Sequence, residues 1–467
     1  MAKRVVLFGG SFNPSAKHHR VLAEALASQF DHVIVIPCGL RPDKLTTNDT
    51  LSTDRAAMVD MNFRGIPNLE VDLFDLENDD FTRTFELSEK YKHLGEVWHF
   101  VGTDLICGGG KGESVIEREW GHGPEIWKDL NFAVAERVGF PYDPSDLPPH
   151  SIVLKPPYSG SSTEIREKIL KHRPIGDLVV PEVGAYIDRH NLYLGRLPRA
   201  STMLNLGSPR IKIVVDPENP KAVAISHSLS NLEDTENPNL IVVVGGDGTM
   251  LHAIRNFWRL RVPFLGINTG HRGFLLNNLE VEKIREILSE GLIAWQSPLL
   301  YVESKRGDGS VNSGLAFNDA WAERASGSTA WFTVKINGTT KIQKLVGDSI
   351  LVSTPAGSTA YARAMGATPL LVGTPALILV GSNIGEPPGW KSAYIPADAE
   401  VEILNADSSL SNKRPILGFV DSVSVGEVRS MTIRASRTAF VELAYLPERD
   451  LAEKLMEIQF PVQKEDQ

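Results

Sequence analysis

The stretch Asn239–Trp258, NLIVVVGGDGTMLHAIRNFW, reads as three pieces of structure in a row. Leu240–Val244 is an unbroken apolar run of the length of a buried strand. Gly245-Gly246-Asp247-Gly248-Thr249 follows at once, and a helical segment follows that. Strand, glycine-rich turn and helix in this order belong to an α/β fold, whose mostly parallel sheet binds ligands beyond the carboxyl ends of its strands. The glycines let backbone N–H groups come close to a phosphate. Asp247, fixed on the tight turn, places a carboxylate where it can orient a hydroxyl or hold a metal.

Working outward, VPFLGINTG supplies the next strand and turn, and IKIVV an earlier strand. From about Leu299 short β-branched and aromatic segments dominate: WFTVKING, KLVGDSILVST, ALILV, VEIL, SMTIRAS and AFVELAYL. The end, ERDLAEKLMEIQF, fits an amphipathic helix. A cluster of Gly, Pro and Ser between Tyr193 and Pro209 marks a boundary, and the first part alternates strands with helices in its own right. Its strands are predicted at Val5–Phe8, His32–Pro37, Glu96–Val101 and Asn131–Glu136, its helices at His19–Phe30 and Arg55–Phe63. The expected domains are 1–195, an α/β domain over 205–295, and a β-rich domain with a C-terminal helix over 296–467.

The 467 residues, 42% hydrophobic and 23% charged, are too many for one ordinary core. The net charge of −10 argues against a general nucleic-acid binder. The two cysteines, Cys38 and Cys107, form no CxxC, so neither a disulfide framework nor a structural zinc site is expected. No run approaches the ~20 apolar residues of a bilayer span, and the N-terminal run, interrupted by Gly9-Gly10, is no signal peptide. A cytoplasmic location is the expectation.

Two further segments join GGDGT: NTGHRGFL (Asn268–Leu275) after one strand and TPAGSTAY (Thr354–Tyr361) after another. Hydroxyl-rich loops bind phosphates and riboses by neutral hydrogen bonds. Taken together and in this order, the three resemble the NAD kinase family over roughly 205–460. That family moves the γ-phosphoryl of ATP to the 2′-hydroxyl of the adenosine ribose of NAD. The resemblance implies that Asp247 orients and deprotonates that hydroxyl. It implies that Gly245, Gly246, Gly248, Thr249 and Asn268 line the phosphate region. Asn318-Asp319 resembles the family's Asn-Glu pair, which contacts the dinucleotide, with Asp one methylene shorter than Glu. Thr354, Ser358, Thr359, Ala360 and Tyr361 match its adenine- and ribose-binding segment. Ala356 replaces a Thr often found there, and Arg272 stands where a Leu is usual. Lipid kinases related to diacylglycerol kinase also carry GGDGT, but they lack the other two segments, and no basic amphipathic stretch is present to hold a membrane.

At the other end, Val5–Phe8 runs into Gly9-Gly10-Ser11-Phe12, with His18 and His19 soon after. Ser161-Ser162-Thr163-Glu164-Ile165-Arg166 carries a helix-start signature; such a start offers N–H groups and a positive dipole end to an anion. These segments resemble the nicotinamide/nicotinate mononucleotide adenylyltransferases of the nucleotidyltransferase superfamily, over Lys3 to about Tyr193. The resemblance extends to Lys44, Arg55 and Met58, Gly102 and Asp104 as a ribose-holding pair, Trp127 as a ring to stack on the pyridine, and Arg137. It implies ATP and nicotinamide mononucleotide as substrates, with Mg2+, and His19, Ser162, Arg166 and Lys44 as donors around the triphosphate. The family's H-x-G-H reads Ala16-Lys17-His18-His19 here. Either His18 or Lys17 supplies the missing donor, or the domain is weak or inactive. The run GGGKG (Gly108–Gly112) lacks the frame of a phosphate-binding P-loop and is expected to be a flexible loop. A Rossmann-like nucleotidyltransferase domain followed by a NAD-kinase fold would make NAD and then NADP; a kinase with an inactive or nicotinate-specific first half is the alternative. A homo-oligomer is implied by resemblance alone.

Overall fold

The computed structural model describes residues 3–41, 50–137, 139–155, 160–195, 201–270, 273–279, 283–407, 413–447, 455–456 and 459–460. The chain forms two compact units, Met1–Pro198 and Arg199–Gln467.

In the first unit six strands, β1 (Arg4–Gly10), β2 (His32–Pro37), β3 (Leu69–Val71), β4 (Glu96–Gly102), β5 (Asn131–Ala135) and β6 (Ser151–Leu154), lie in the order β3-β2-β1-β4-β5-β6. Every neighbouring pair is parallel. The apolar run of β1 is continuous because both its faces are covered. Val6 and Phe8 pack into one cluster with Ala23 and Leu26 of helix α1 (Lys17–Ala27), while Val5 and Leu7 pack into another with Tyr91. Strand order reverses between β1 and β4, so a crevice opens where their carboxyl ends diverge. Gly9 and Gly10 end β1 there, and Gly102 ends β4. Helix α2 (Ser52–Phe63) is buried from Asp54 onward.

In the second unit β8 (Ile211–Val215), β9 (Leu240–Gly245) and β10 (Phe264–Asn268) are parallel. They belong to a ten-stranded sheet that also holds β7 (Ser201–Leu204), β11 (Leu292–Lys305), β12 (Val311–Ala316), β14 (Ala330–Ile336), β15 (Thr339–Gly347), β19 (Val401–Asn405) and β22 (Ser430–Tyr445). A second sheet, β18-β17-β16-β13-β20-β21, is antiparallel throughout. Its strands are β13 (Asp319–Arg324), β16 (Ser349–Ser353), β17 (Ala376–Ser382), β18 (Ser392–Pro396), β20 (Ile416–Val420) and β21 (Val423–Val428).

The strand expected before TPAGSTAY, SILVS, is β16, and Asp348 separates it from β15, which lies in the other sheet. Two sequence expectations are corrected. SMTIRAS and AFVELAYL are one strand, β22, of 16 residues. The β-rich texture begins at Leu292, several residues before Leu299. Of the expected C-terminal helix only Leu455, Met456 and Gln459 are described as helical; the rest lies outside the described residues. Among the described residues no helix is long and apolar enough to cross a membrane, and neither Cys38 nor Cys107 is in a disulfide.

Candidate active sites

In the first unit the loop after β1 is held from two sides. Arg55 of α2, 1% exposed, donates from Nε and Nη2 to the Ser11 carbonyl (3.0 and 2.7 Å) and from Nη2 to that of Cys38 (2.6 Å). Asn62 donates to Ser15 Oγ and the Ala16 carbonyl (3.0 and 3.1 Å). From the other side comes the helix Ser162–Leu170. Ser162 Oγ donates to the Pro14 carbonyl (2.9 Å), and Arg166 Nη1 to that of Asn13 (2.6 Å). The two segments expected to form one site are therefore brought together. Ser161 is the N-cap, its Oγ accepting from the Thr163 N–H at 3.2 Å. Thr163 Oγ1 accepts from Arg166 Nη2, and Glu164 pairs with Lys168.

His19 Nδ1 accepts the Ala16 N–H at 3.1 Å. The neutral ring then carries its proton on Nε2, the donor a phosphate needs. The His18 ring lies with its centroid 3.9 Å from that of His19, the planes tilted by 42°, and faces Gly160, where an added Cβ would fall 2.8 Å from His18 Nδ1. Burial, with a smaller push from the Arg137 charge, lowers the His18 pKa to about 4. Two imidazoles this close do not both take a proton, and the buried one stays neutral. Lys17, the other candidate stand-in, is turned away: its Nζ donates to the Gly176 carbonyl at 2.8 Å.

Asp104, in the short helix Thr103–Ile106 that follows β4, pairs with Arg137 at 2.5 Å. A Cβ at Gly102 would strike Asp104 Oδ1 (2.4 Å), so the glycine leaves room for that carboxylate. Two residues expected to touch ligand are core side chains here. Phe12 is 2% exposed, and its ring packs edge-on against Phe8, His19 and Phe63. Trp127 is 9% exposed, sits among Val101, Ile116 and Phe132, and fills the space over Gly109. The GGGKG run is accordingly a packed turn rather than a flexible loop. Gly109–Lys111 form a short 3-10 helix, Gly109 makes room for Trp127, and Gly110 N–H donates to Asp146. Lys44 lies outside the described residues. The sequence reading missed Tyr193 as a site residue; its hydroxyl donates to Asn13 Oδ1 at 2.6 Å.

In the second unit Asp247 opens the helix Asp247–Phe257. Its Oδ2 accepts the Phe274 N–H and its Oδ1 the Leu275 N–H, each at 3.1 Å. Phe274 and Leu275 thus hold the carboxylate of GGDGT, and each oxygen keeps a second lone pair for a ligand. Asn268 is braced by Gly270 N–H (3.0 Å) and Asn278 (2.9 Å). Met250, Ile254, Phe274, Leu275, Phe317 and Ala356 share one core cluster, which carries all three segments.

The TPAGSTAY segment lies on Asn318. Thr354 N–H and Ser353 Oγ donate to the Asn318 carbonyl (2.9 and 3.1 Å), and a Cβ on Gly357 would fall 2.2 Å from that oxygen. Two of its expected ligand hydroxyls are spent on the chain. Thr354 Oγ1 donates to the Phe317 carbonyl, and Ser358 Oγ to that of Pro355 while accepting the Leu370 N–H; both residues are wholly buried. Thr359, Ala360 and Tyr361 face outward, the Tyr361 ring against Trp321. Asp319 is buried, and burial together with the nearby Asp421 charge raises its pKa to about 7. Asp421, which the sequence reading did not single out, accepts the N–H groups of Phe317, Asn318 and Asp319.

Residues 209–292 match a family model described as the ATP-NAD kinase N-terminal domain, and 7–168 one described as cytidylyltransferase-like. The chain is similar to the NAD kinase of Rickettsia bellii, 32% identical over 229 residues that make up 49% of this chain and 88% of the relative. To that of Rickettsia conorii it is 30% identical over 247 residues, 52% of this chain and 94% of the relative. Among solved structures it is similar to yeast NADH kinase complexed with NADH, with 16% identity, 58% of this chain and 92% of that one covered, and a TM-score of 0.48. An NAD kinase from Archaeoglobus fulgidus in complex with ATP gives 20% identity, 53% and 96% coverage, and a TM-score of 0.41.

Proposed function

Because the chain belongs, through its second half, to the NAD kinase family with a nucleotidyltransferase domain fused ahead of it, we propose that it is a bifunctional enzyme. It makes NAD from ATP and nicotinamide mononucleotide, then phosphorylates that NAD. In the first step a phosphate oxygen of the mononucleotide attacks the α-phosphorus of ATP, and pyrophosphate leaves. No covalent intermediate is required; positioning and charge neutralisation lower the barrier. His19 Nε2, the Ser162 backbone N–H, Thr163 and Arg166 are the proposed donors, the N-terminus of the helix Ser162–Leu170 the anion site, and Gly9, Gly10 and Ser11 the backbone that meets the phosphates. Asp104 and Gly102 would receive a ribose. The observation that carries this step is the docking of Ser162 and Arg166 on the carbonyls of Pro14 and Asn13.

In the second step the ribose 2′-hydroxyl attacks the γ-phosphorus of ATP, its proton passes to Asp247, and ADP leaves. The anchoring of both Asp247 oxygens by backbone N–H groups supports the role, since a base so held is oriented before substrate arrives. Asn318 and Asp319 are the proposed dinucleotide contacts, with Thr359, Ala360 and Tyr361 at the adenosine. No group of three or more His, Cys, Asp or Glu side chains among the described residues is arranged to hold a metal. Mg2+ bound with ATP would supply charge neutralisation at the phosphates. Nicotinamide rather than nicotinate mononucleotide makes the two steps consecutive, because the nicotinate product needs amidation before the kinase step. Ala16 in place of a histidine favours a second reading, a kinase with a silent first half.

Pyrophosphate release from ATP plus nicotinamide mononucleotide, in the parent and in Asp247→Ala, separates the two. The bifunctional enzyme forms NAD without NADP in Asp247→Ala, and His19→Ala forms NADP only from added NAD. Kinase activity with no pyrophosphate from either protein establishes the silent first half.

A further inference from the structure

Asp421 lies in the turn between β20 and β21, buried, at a positive φ of 45°. Three consecutive backbone N–H groups converge on its carboxylate: Phe317 on Oδ2 at 2.6 Å, Asn318 and Asp319 on Oδ1 at 2.8 and 3.3 Å. Its own N–H donates to the Asp319 carbonyl at 3.0 Å. Its carbonyl accepts Arg255 Nη2 at 2.9 Å, and Arg255 stands on the helix that begins with Asp247. One residue is therefore bonded both to the loop bearing Asn318-Asp319 and to the helix bearing the base. Successive N–H groups around one point make a nest suited to an anion. An amide in its place would offer one acceptor oxygen and turn an NH2 toward donors.

We propose that Asp421 is a positioning residue of the kinase site, fixing the Asn318-Asp319 pair relative to Asp247 while touching no substrate itself. The proposal rests on the reading of that pair as the dinucleotide contact. It predicts a separation of effects. Loosening the loop weakens NAD binding, whereas cutting the Arg255 link misaligns the 2′-hydroxyl against its base. Such misplacement registers in turnover. A third mark is electrostatic. Burial and the Asp421 charge set the Asp319 pKa at about 7, and Arg255 is the cation that acts on Asp421. Neutralising Asp421 removes the like charge, so the Asp319 titration moves down.

The experiment is steady-state kinetics of the full chain, in NAD and in ATP, from about pH 5.5 to 9. Asp421→Asn is expected to raise KM for NAD about tenfold, with kcat within about threefold and KM for ATP within about twofold. The midpoint of the pH dependence of its KM for NAD moves to lower pH. Arg255→Ala, at an exposed position, is expected to lower kcat about tenfold with KM for NAD little changed. A folded Asp421→Asn with parental KM for NAD and parental pH midpoint overturns the proposal. Where Asp421→Asn does not fold, Arg255→Ala decides, and a parental kcat overturns it. Asn318→Ala and Asp319→Ala test the premise separately: parental KM for NAD in both would remove the dinucleotide reading, a failure distinguishable from that of the positioning role.

Discussion

Thr249 sits directly over Gly245: a Cβ on the glycine would fall 2.4 Å from Thr249 Oγ1 and 2.8 Å from its Cβ. Gly246 and Gly248 differ, since a Cβ on either meets nothing within 4 Å. Of the three glycines in one pentapeptide, one makes room for the protein and two face open space. Gly245→Ala should cost stability, about 1–3 kcal/mol. Gly246→Ala and Gly248→Ala should melt like the parent yet raise KM for ATP or NAD at least tenfold, on the order of 1.4 kcal/mol of lost binding. Melting temperatures beside kinase kinetics check this, and parental kinetics in the latter pair would deny those glycines a ligand.

Removing the Asp247 carboxylate abolishes the proposed base. Asp247→Ala should reduce NADP formation by about 10²–10⁴ in kcat. It also leaves the Phe274 and Leu275 N–H groups without their acceptor, so NTGHRGFL should lose amide-exchange protection. Conversion of supplied NAD, followed with hydrogen exchange on the same samples, reads both.

Arg55 holds the first unit's phosphate loop without reaching its surface. Arg55→Met leaves the Ser11 and Cys38 carbonyls without their donor, at a cost of about 2–4 kcal/mol. NAD synthesis should fail at temperatures where NADP formation from added NAD persists. Calorimetry should show the loss in the first unit's transition.

Acid and base act oppositely on the two units. His18 and His99 are buried with pKa values lowered to about 4. Below their ordinary value of about 6.5 the unfolded chain takes up protons that the folded chain refuses. Their contribution is complete at neutral pH and drains away as pH falls from about 6.5 toward 4. Asp319, raised to about 7, has the reverse sign: its ionisation costs the second unit stability as pH rises from the ordinary carboxylate range to about 7. His18→Gln should flatten the first slope and Asp319→Asn the second, measured as melting temperature against pH.

The two glycine-rich loops were legible because strand, turn and helix are neighbours in sequence. The run Leu240–Gly245 is buried throughout, and its helix begins two residues later. What escaped was long-range. Asp421 is one acidic residue in a β-rich stretch, and its partners lie 102 to 104 residues earlier. Tyr193 stands 180 residues from Asn13, in a segment that reads as linker. Thr354 and Ser358 show the opposite error. Hydroxyls in a glycine-containing loop suggest ligands, yet a tight loop has backbone groups of its own to satisfy, and these hydroxyls do so first.

Strand β22 closes the β10 edge of the parallel sheet, Phe264 opposite Leu443 and Leu265 opposite Ala444, while also pairing along β11 and with β19. During synthesis this sets a timetable. The first unit has its sixth strand by Leu154 and can fold as it leaves the ribosome. The strands around GGDGT wait with an open edge until about 175 further residues have been made. Exposed strand edges recruit other chains, so the nascent second unit, rather than the first, is the segment that needs a chaperone's cover.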